Sequence, residues 1–390
     1  QDNGYKLEFK VEGLHDSIAN LTFFFGQNHY YKDTADIDSK GKFTFEGKEA
    51  LDQGMYSVFH GEDKLFDFFV MDDQHFSIST TKENTVQNLK VSGSEENAIF
   101  YEYLKYLKEK QTAAAALSAQ RDTSNPASEK NMQLKAQMES LDDEVKVFID
   151  KFKKKYPKSF TVKFLNSMEW PEVPEFSADG KIDSAAQLQY MRTHLFDNID
   201  FSDERAIRIP SYQERVNYFL DKLTYPIPDS AIVSVDYLLN KASQNDEVFK
   251  YTLNHVTQKY ERSTQMGMDE VFVHLVNKYF RNGKAPWLSE KQMKKVLDRA
   301  DALEPLLIGK KAPNIVVKDT AQKEFLQLYD VDADYIVVYI WSAECGHCKV
   351  STPILHDMYK RYKEKGVNLE VFAVGSEFEN EAWLQFIRKN

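Results

Sequence analysis

The pattern of apolar and polar residues changes twice along the chain, and the first pattern predicts strands. Up to about residue 93, short runs alternate apolar and polar residues with a period of two, as in residues 6–11 (KLEFKV) and 42–46 (KFTFE). Glycines separate these runs at turn-like positions. Such alternation is typical of strands that are buried on one face. We therefore predict an antiparallel β-sandwich of seven or more strands over residues 1–93.

The second pattern, after Gly93, has the longer period of helices. Residues 95–120 are rich in Ala, Leu, Glu and Lys and predict a long helix. Asn125 and Pro126 break the helical pattern, and a second helix is predicted from there to about residue 155. Apolar residues at three- and four-residue spacing predict three further helices, at residues 229–243, 247–262 and 269–282.

One more helix of this region has a sequence signal at its start. Ser289 and Gln292 have the spacing of a capping box, in which each side chain bonds the other residue's backbone N–H. We therefore predict an all-helical middle domain over residues 94–305.

The third pattern follows Gly309 and predicts alternating strands and helices. Residues 314–318 predict a short strand, and residues 335–341 form a near-continuous apolar run of the kind buried in a parallel or mixed sheet. The remaining elements are a helix, a second buried strand and another helix, at residues 345–363, 368–374 and 379–388. This order is a βαβ arrangement and predicts an α/β domain over residues 306–390. The chain as a whole is predicted to be a multidomain α+β protein.

Both cysteines of the 390-residue chain lie in one motif, WSAECGHCK at residues 341–349. Cys345 follows the apolar strand by a short turn and begins a helix, where unpaired backbone N–H groups and the helix dipole stabilise a thiolate. Cys348, three residues later, faces the same side and can attack a mixed disulfide formed at Cys345. A CxxC pair after a strand in a βαβ pattern indicates thiol–disulfide exchange.

Three other interpretations of the pair stay open. A zinc site needs two more ligands, but the chain has only these two cysteines, and its nine histidines show no compact ligand spacing. A purely structural disulfide would remove little chain entropy, because the loop it closes has four residues. A peroxidatic site is consistent with Ser342, three residues before Cys345, but no proline precedes the cysteine to shape a peroxide pocket.

The motif followed by Pro353 resembles the active site of the thioredoxin fold. Together with residues 312–315 (APNI) and 365–371 (KGVNLEV), it is similar to the TlpA-like branch of thiol–disulfide oxidoreductases in the envelopes of Gram-negative bacteria of the Bacteroidetes type. Residues 197–203, 267–272 and 285–287 resemble the helical middle domain of such proteins, which often also carry a β-rich N-terminal domain.

This resemblance implies a protein disulfide oxidoreductase or isomerase-like enzyme. Cys345 would be the nucleophile and Cys348 the resolving thiol. The substrates implied are protein disulfides and dithiols, with an envelope electron donor or acceptor as partner. No metal and no cofactor beyond the redox-active Cys345–Cys348 disulfide is expected. The supporting residues implied around the cysteines are Trp341, Glu344, Gly346, His347 and Pro353.

The sequence departs from the family pattern at the proton relay. Tyr339 stands where thioredoxin has a buried aspartate, and Ser351 stands where TlpA-like proteins have a glutamate. Glu344 lies beside Cys345 instead, where its negative charge opposes thiolate formation. The group that takes the proton of Cys348 is therefore unassigned.

A thioredoxin fold also continues beyond its second helix with a cis-proline loop, two strands and a helix, so we expect the C-terminal domain to be truncated at Asn390.

The dipeptide between the cysteines, Gly346 and His347, is that of the disulfide isomerases. A protonated imidazole near the Cys345 sulfur stabilises the thiolate and makes the disulfide a stronger oxidant. We therefore expect a redox potential closer to that of the isomerases than to that of thioredoxin.

Charge and chain ends limit the partners and the location. The net charge of −11 argues against nucleic acid, which requires clustered Lys and Arg. No apolar run approaches the roughly 20 residues that span a bilayer. We expect Gln1 to follow a removed signal peptide, and we expect a soluble, exported, periplasmic or cell-envelope protein.

The alternative to an oxidoreductase is a partner-binding or scaffold protein of the envelope, whose thioredoxin domain is inactive or merely tethered.

Overall fold

The computed structural model describes residues 4–121, 128–178, 181–321, 323–376 and 380–389. The chain folds into two compact units, Gln1–Met293 and Lys294–Asn390. The predicted boundaries near residues 93 and 305 stay a prediction, and the predicted helix break at Asn125 and Pro126 lies outside the described residues.

The N-terminal unit begins with two four-stranded sheets. Their strand orders are β4-β1-β7-β8 and β3-β2-β5-β6. The strands are β1 (Tyr5–Glu12), β2 (Ser17–Phe25), β3 (Asn28–Ile37), β4 (Lys42–Gly47), β5 (Gly54–His60), β6 (Asp63–Val70), β7 (His75–Thr81) and β8 (Lys90–Ser92).

The prediction that these strands are all antiparallel is wrong at one place. β1 pairs in parallel with β7, in the register that sets Phe9 opposite Ile78. The alternation of apolar residues determines which face of a strand is buried, but it does not determine the direction of the neighbouring strand. Because the chain leaves the first sheet after β1 and returns to it later, β7 can run beside β1 in the same direction.

Aromatic side chains fill the space where the two sheets meet. The Phe9 ring on β1 stacks on Phe43 of the same sheet, with centroids 5.3 Å apart, and lies 5.4 Å from Phe68 of the other sheet. The core continues into helical residues such as Phe100 and Phe160. The strands and the first long helices therefore share one hydrophobic core.

Several helices of this unit begin at N-cap residues: Ser94, Ser128, Ser159 and Asn245 each accept hydrogen bonds from the first turn through a side-chain oxygen. The α-helices are α1 (Thr85–Asn88), α2 (Glu95–Ser118), α3 (Glu129–Lys155), α4 (Phe160–Met168), α5 (Ser184–His194), α6 (Pro210–Lys222), α7 (Pro228–Ala242), α8 (Asp246–Glu261) and α9 (Asp269–Leu275). Two short strands, β9 (Ser177–Ala178) and β10 (Lys181–Ile182), form a two-stranded ribbon, and a 3-10 turn spans Glu204–Arg208.

The predicted helix over residues 269–282 is an α-helix for only part of that length. After Leu275 it continues as a π-helical turn, Val276–Phe280. The three- and four-residue spacing of apolar side chains continues through this segment, so the sequence pattern did not distinguish the two forms.

A buried amide attaches α2 to the edge of the second sheet. The side chain of Asn97 is fully buried, accepts a hydrogen bond from the backbone N–H of Phe69 and donates one to its carbonyl, both at 2.7 Å. β6 is the edge strand of its sheet, and an uncovered edge offers unpaired backbone groups to other chains. Asn97 satisfies those of Phe69 within the molecule.

The C-terminal unit contains a parallel pair of strands flanked by helices. Its elements are α10 (Glu290–Leu303, whose first turn belongs to the N-terminal unit), β11 (Val316–Lys318), β12 (Phe325–Gln327), β13 (Tyr335–Trp341), α11 (Gly346–Glu364), β14 (Leu369–Gly375) and α12 (Asn380–Lys389), with 3-10 turns at Glu304–Leu306 and Leu328–Asp330. The predicted capping box opens α10, because Gln292 N–H donates to Ser289 Oγ and Ser289 N–H to Gln292 Oε1.

The order strand, helix, strand, helix after residue 334 agrees with the sequence prediction, but the predicted burial of β13 is wrong. Tyr335 and Ile340 are about two-thirds exposed, and Trp341 is the one residue of the strand that is buried. An apolar strand is buried on both faces only when further strands and layers cover it. Among the described residues, β13 pairs with β14 alone.

Candidate redox site

The site lies where β13 passes into α11. β13 ends at Trp341, opposite Gly375 in the parallel register with β14, and α11 begins at Gly346. Between them, the backbone N–H of Cys345 donates to the carbonyl of Ser342 at 3.2 Å, which closes a tight turn. The turn therefore delivers Cys345 to the N-terminus of the helix.

Cys345 is the N-cap residue of α11. Its backbone is extended, and its sulfur accepts a hydrogen bond from the backbone N–H of Cys348 at 3.2 Å. Both cysteines are present as half-buried thiols. The sulfur of Cys345 thus occupies the position of the oxygen of an N-cap serine, where N–H groups and the helix dipole stabilise negative charge.

The other predicted residues surround this turn. Glu344 and His347 are exposed, as is Gly346, and the backbone N–H of Glu344 donates to Ser342 Oγ at 3.3 Å. Pro353 lies inside α11, seven residues after Gly346. Proline removes the N–H that would reach the carbonyl of Lys349. The roles assigned to these residues, and those of Cys345 and Cys348, stay predictions.

Hydroxyl groups occupy the face of α11 behind Cys348. Thr352 Oγ1 donates to the carbonyl of Cys348 at 2.7 Å, and Tyr339 on β13 lies within hydrogen-bond distance of the same Oγ1, at 2.8 Å. Ser351 Oγ donates to the carbonyl of His347 at 2.9 Å. The sequence marked Tyr339 and Ser351 only as departures from a family pattern. The sequence analysis did not single out Thr352. The one sequence signal for this residue is its position one helical turn after Cys348.

Trp341 is fixed by α12 and by the end of β14. Its ring stacks on Phe386 with centroids 4.6 Å apart and lies parallel to Trp383 at 6.4 Å. The backbone N–H of Ser376 donates to the Trp341 carbonyl at 2.9 Å. A Cβ at Gly375 would lie 2.0 Å from Trp383 Nε1, so the packing requires glycine there. The sequence identified Trp341 but gave no signal for its partners on α12.

A side-chain cluster joins the far end of α11 to β14. Glu370 accepts hydrogen bonds from Lys363 at 2.9 Å and Tyr359 at 3.0 Å. The bond from Lys363, followed by that from Tyr359, holds the pKa of the Glu370 carboxyl below its ordinary value. These contacts stabilise the packing of α11, which carries the cysteines, on the parallel strands.

An apolar cavity of about 220 Å³ lies behind the cysteine helix, within the C-terminal unit. It is lined by side chains of β13, α11, β14 and α12, among them Tyr339, Trp341, Thr352, Tyr359 and Phe386. Within the described ranges, no group of three or more His, Cys, Asp or Glu side chains is arranged to hold a metal ion.

Three family models match separate parts of the chain. Residues 308–388 match the AhpC/TSA family. Residues 5–100 match a domain of unknown function, DUF4369, and residues 120–304 match another, DUF5106.

Several curated relatives match the same C-terminal region. The thiol-disulfide oxidoreductase ResA of Bacillus cereus is 33% identical over 86 residues, which are 22% of this chain and 48% of that protein. ResA of Bacillus anthracis has the same identity and coverage. ResA of Bacillus subtilis is 32% identical over 72 residues, 18% of this chain and 40% of that protein. The chain thus spans about half the length of the curated relatives it matches.

A solved structure, of a thioredoxin-like protein from Bacteroides caccae, covers 57% of this chain and 78% of its own at 18% identity, with a TM-score of 0.41. The family model and the ResA relatives together support a thioredoxin-superfamily domain with a thiol-based redox function at residues 308–388. In the described parts of the chain, none of the helices has the combination of length and hydropathy that spanning a bilayer requires.

Proposed function

We propose that this protein exchanges disulfides with other proteins of the bacterial envelope, with Cys345 as nucleophile and Cys348 as resolving thiol. The observation that carries this proposal is the hydrogen bond from Cys348 N–H to Cys345 Sγ at the first turn of α11. The bond strengthens when the sulfur is ionised, because an anionic acceptor roughly doubles the strength of a hydrogen bond.

The exchange proceeds in two steps when the protein reduces a substrate. The Cys345 thiolate attacks one sulfur of the substrate disulfide, which forms a mixed disulfide and releases the other substrate sulfur as a thiolate. Cys348 then loses its proton and attacks the Cys345 sulfur. This step forms the Cys345–Cys348 disulfide and releases the second substrate thiol, so two electrons pass to the substrate. The reverse sequence oxidises a substrate dithiol.

The neighbouring side chains would support these steps without touching the substrate disulfide. Thr352 holds the carbonyl of Cys348 and is itself hydrogen-bonded to Tyr339, while Trp341, at the end of β13, is anchored through its carbonyl by the backbone N–H of Ser376. We further propose that the chain is TlpA-like and acts outside the cytoplasm, with an envelope electron donor or acceptor as redox partner. ResA relatives at the C-terminal region support the redox part of this assignment.

Variants of the two cysteines test the proposal in the full chain. Incubation of the reduced protein with insulin should break the insulin disulfides in the wild type, and the Cys345→Ser variant should lose this activity. The Cys348→Ser variant should instead accumulate a covalent mixed disulfide with insulin, which non-reducing electrophoresis and mass spectrometry detect, because the resolving attack is absent.

The paired variants separate disulfide exchange from the alternative of a scaffold with an inactive thiol domain. Equal insulin reduction by the wild type and Cys345→Ser would contradict the proposal. A mixed disulfide that forms in Cys345→Ser but not in Cys348→Ser would reverse the assigned roles.

A further inference from the structure

A single peptide group links the hydroxyl of Ser351 to the sulfur of Cys345. The carbonyl of His347 and the N–H of Cys348 both belong to this group, because they flank the same peptide bond. Ser351 Oγ donates to the carbonyl at 2.9 Å, and the N–H donates to Cys345 Sγ at 3.2 Å. The two hydrogen bonds therefore form a continuous chain from the Ser351 hydroxyl to the sulfur.

The two bonds of this chain strengthen each other through the resonance of the amide. A donor at the carbonyl oxygen draws electrons away from the nitrogen, which leaves the N–H more positive and makes it a stronger donor. Consecutive hydrogen bonds strengthen one another by about 10–30% per bond. The gain is larger when the sulfur is ionised, because a bond to a charged acceptor is roughly twice as strong as a bond to a neutral one. The Ser351 hydroxyl thus favours the thiolate of Cys345 over its thiol.

A second chain of the same kind begins one residue later on α11 and ends on a different atom. Thr352 Oγ1 donates to the carbonyl of Cys348 at 2.7 Å. The N–H of that peptide group, which is the N–H of Lys349, donates to the backbone carbonyl of Cys345 at 3.1 Å. Two neighbouring hydroxyls therefore make equivalent bonds to the helix, but only the chain from Ser351 ends on the sulfur.

We propose that Ser351 is a positioning residue for the nucleophile, because its hydroxyl aligns and strengthens the backbone donor that stabilises the Cys345 thiolate. Ser351 touches no substrate atom and transfers no proton in this role. The proposal rests on the function proposed above, in which Cys345 is the nucleophile, and it adds a residue that tunes this nucleophile. Serine is uncharged, so it acts through the polarity of one peptide group and not through a charge of its own.

Other ionisable groups near the site also influence the ionisation of Cys345. Those on the turn, on the first turn of α11 and near the end of β13 are Glu344, His347, Cys348, Lys349 and Tyr339. These residues are the same in all the proteins compared below, except that serine replaces Cys348 in every one of them. Their effects therefore cancel, and a difference between the proteins reports the hydroxyl that was changed.

The ionisation of Cys345 can be measured by itself in the full chain with Cys348→Ser as the background. The chain has only two cysteines, and serine keeps the backbone N–H that bonds the sulfur. The thiolate is the reactive form, so the rate of alkylation by iodoacetamide, followed by mass spectrometry as a function of pH, gives the midpoint of ionisation.

Addition of Ser351→Ala should raise this midpoint by about 0.3 pH unit, which is about a twofold lower ratio of thiolate to thiol. The shift is small because Ser351 is exposed, so water replaces part of the lost bond.

Two further variants in the same background separate this role from a purely structural one. Ser351→Thr keeps a hydroxyl that can donate to the carbonyl four residues earlier, so it should keep the midpoint of the background protein. Thr352→Val removes the neighbouring hydroxyl, and it should raise the midpoint less than Ser351→Ala does, because its chain ends on the backbone. Circular dichroism verifies that all variants are folded.

Three results would overturn the proposal. The midpoint could be unchanged in Ser351→Ala, it could rise as much in Thr352→Val, or it could rise as much in Ser351→Thr. Alkylation requires no disulfide substrate, so these results decide the role of Ser351 separately from the insulin assay. A wild-type protein that fails to reduce insulin would contradict the proposed function, whereas the effect of Ser351 on the thiolate would still be read from the alkylation rates.

Discussion

The hydroxyl oxygen of Tyr339 on β13 lies 2.8 Å from Oγ1 of Thr352 on α11. A threonine hydroxyl has one proton, and Thr352 directs it to the carbonyl of Cys348 at 2.7 Å. Tyr339 is therefore the donor in its bond with Thr352. Through this chain of two hydrogen bonds, a strand residue holds the first turns of the helix that carries the resolving cysteine.

Substitution of Tyr339 by Phe should loosen this part of the C-terminal unit. The variant loses one hydrogen bond but keeps the ring, so we expect a loss of about 1 kcal/mol in the free energy of opening. Hydrogen exchange of the β13 and α11 amides would measure it. The control is Tyr335→Phe on the same strand, whose side chain is largely exposed. Equal exchange rates in Tyr339→Phe and the wild type would contradict the prediction.

Substitution of Gly375 by Ala should destabilise the packing of α12 around Trp341. The new Cβ would lie 2.0 Å from Nε1 of Trp383, so the indole or the strand must move. Overpacking of this kind costs about 1–3 kcal/mol. We expect a lower free energy of unfolding for the C-terminal unit and a weaker near-ultraviolet circular dichroism signal from the stacked tryptophans.

Gly346→Ala is the matched control for this substitution. A Cβ at Gly346 would meet no atom within 4 Å, and the residue begins α11. Alanine is the better helix former, so we expect unchanged or slightly higher stability, by at most about 1 kcal/mol. A loss of stability in Gly346→Ala as large as that in Gly375→Ala would show that the contact with Trp383 is not the cause.

His255 should make the stability of the N-terminal unit depend on pH. Burial, followed by the nearby charge of Lys259, lowers the pKa of its imidazole from 6.5 to about 4. The folded protein therefore binds this proton more weakly than the unfolded chain does. The associated stability is fully present above about pH 6.5, is lost progressively as the pH falls from there to about 4, and amounts to at most about 3 kcal/mol.

Urea unfolding between pH 7 and pH 4 compares the wild type with His255→Gln. Glutamine keeps a donor for Asn217, whose Oδ1 lies 2.7 Å from the ring Nε2, but it does not titrate. The variant should lose less stability on acidification than the wild type. His29, whose pKa burial also lowers, is present in both proteins and cancels in the comparison. Parallel pH curves would show that His255 does not contribute.

The His347→Pro variant should move the redox potential of the cysteine pair to more negative values. We predict that the imidazole of His347, when protonated, stabilises the Cys345 thiolate; proline removes this imidazole and a backbone donor. His347 is the second residue of α11, and proline is tolerated in the first turn of a helix, so the variant should fold. Equilibration with glutathione buffers measures the potential. An unchanged or more positive potential would show that His347 does not tune the pair.

The sequence alone predicted the elements around the redox site. The apolar run at residues 335–341 and the position of the cysteines just after it predicted β13 and α11, and the spacing of Ser289 and Gln292 predicted the start of α10. These features depend on neighbours within a few residues, so the pattern contains the necessary information. The chemical class indicated by the two cysteines agrees with the ResA relatives and the AhpC/TSA match.

Contacts between distant residues were decided only by the tertiary structure. Nothing in the local pattern indicates that β7 returns parallel to β1, or that the tryptophan of α12 packs where only glycine fits at residue 375. The exposure of β13 also depends on which strands and layers surround it. Hydrophobic periodicity specifies which face of an element is apolar, whereas its neighbours follow from how all the elements pack together.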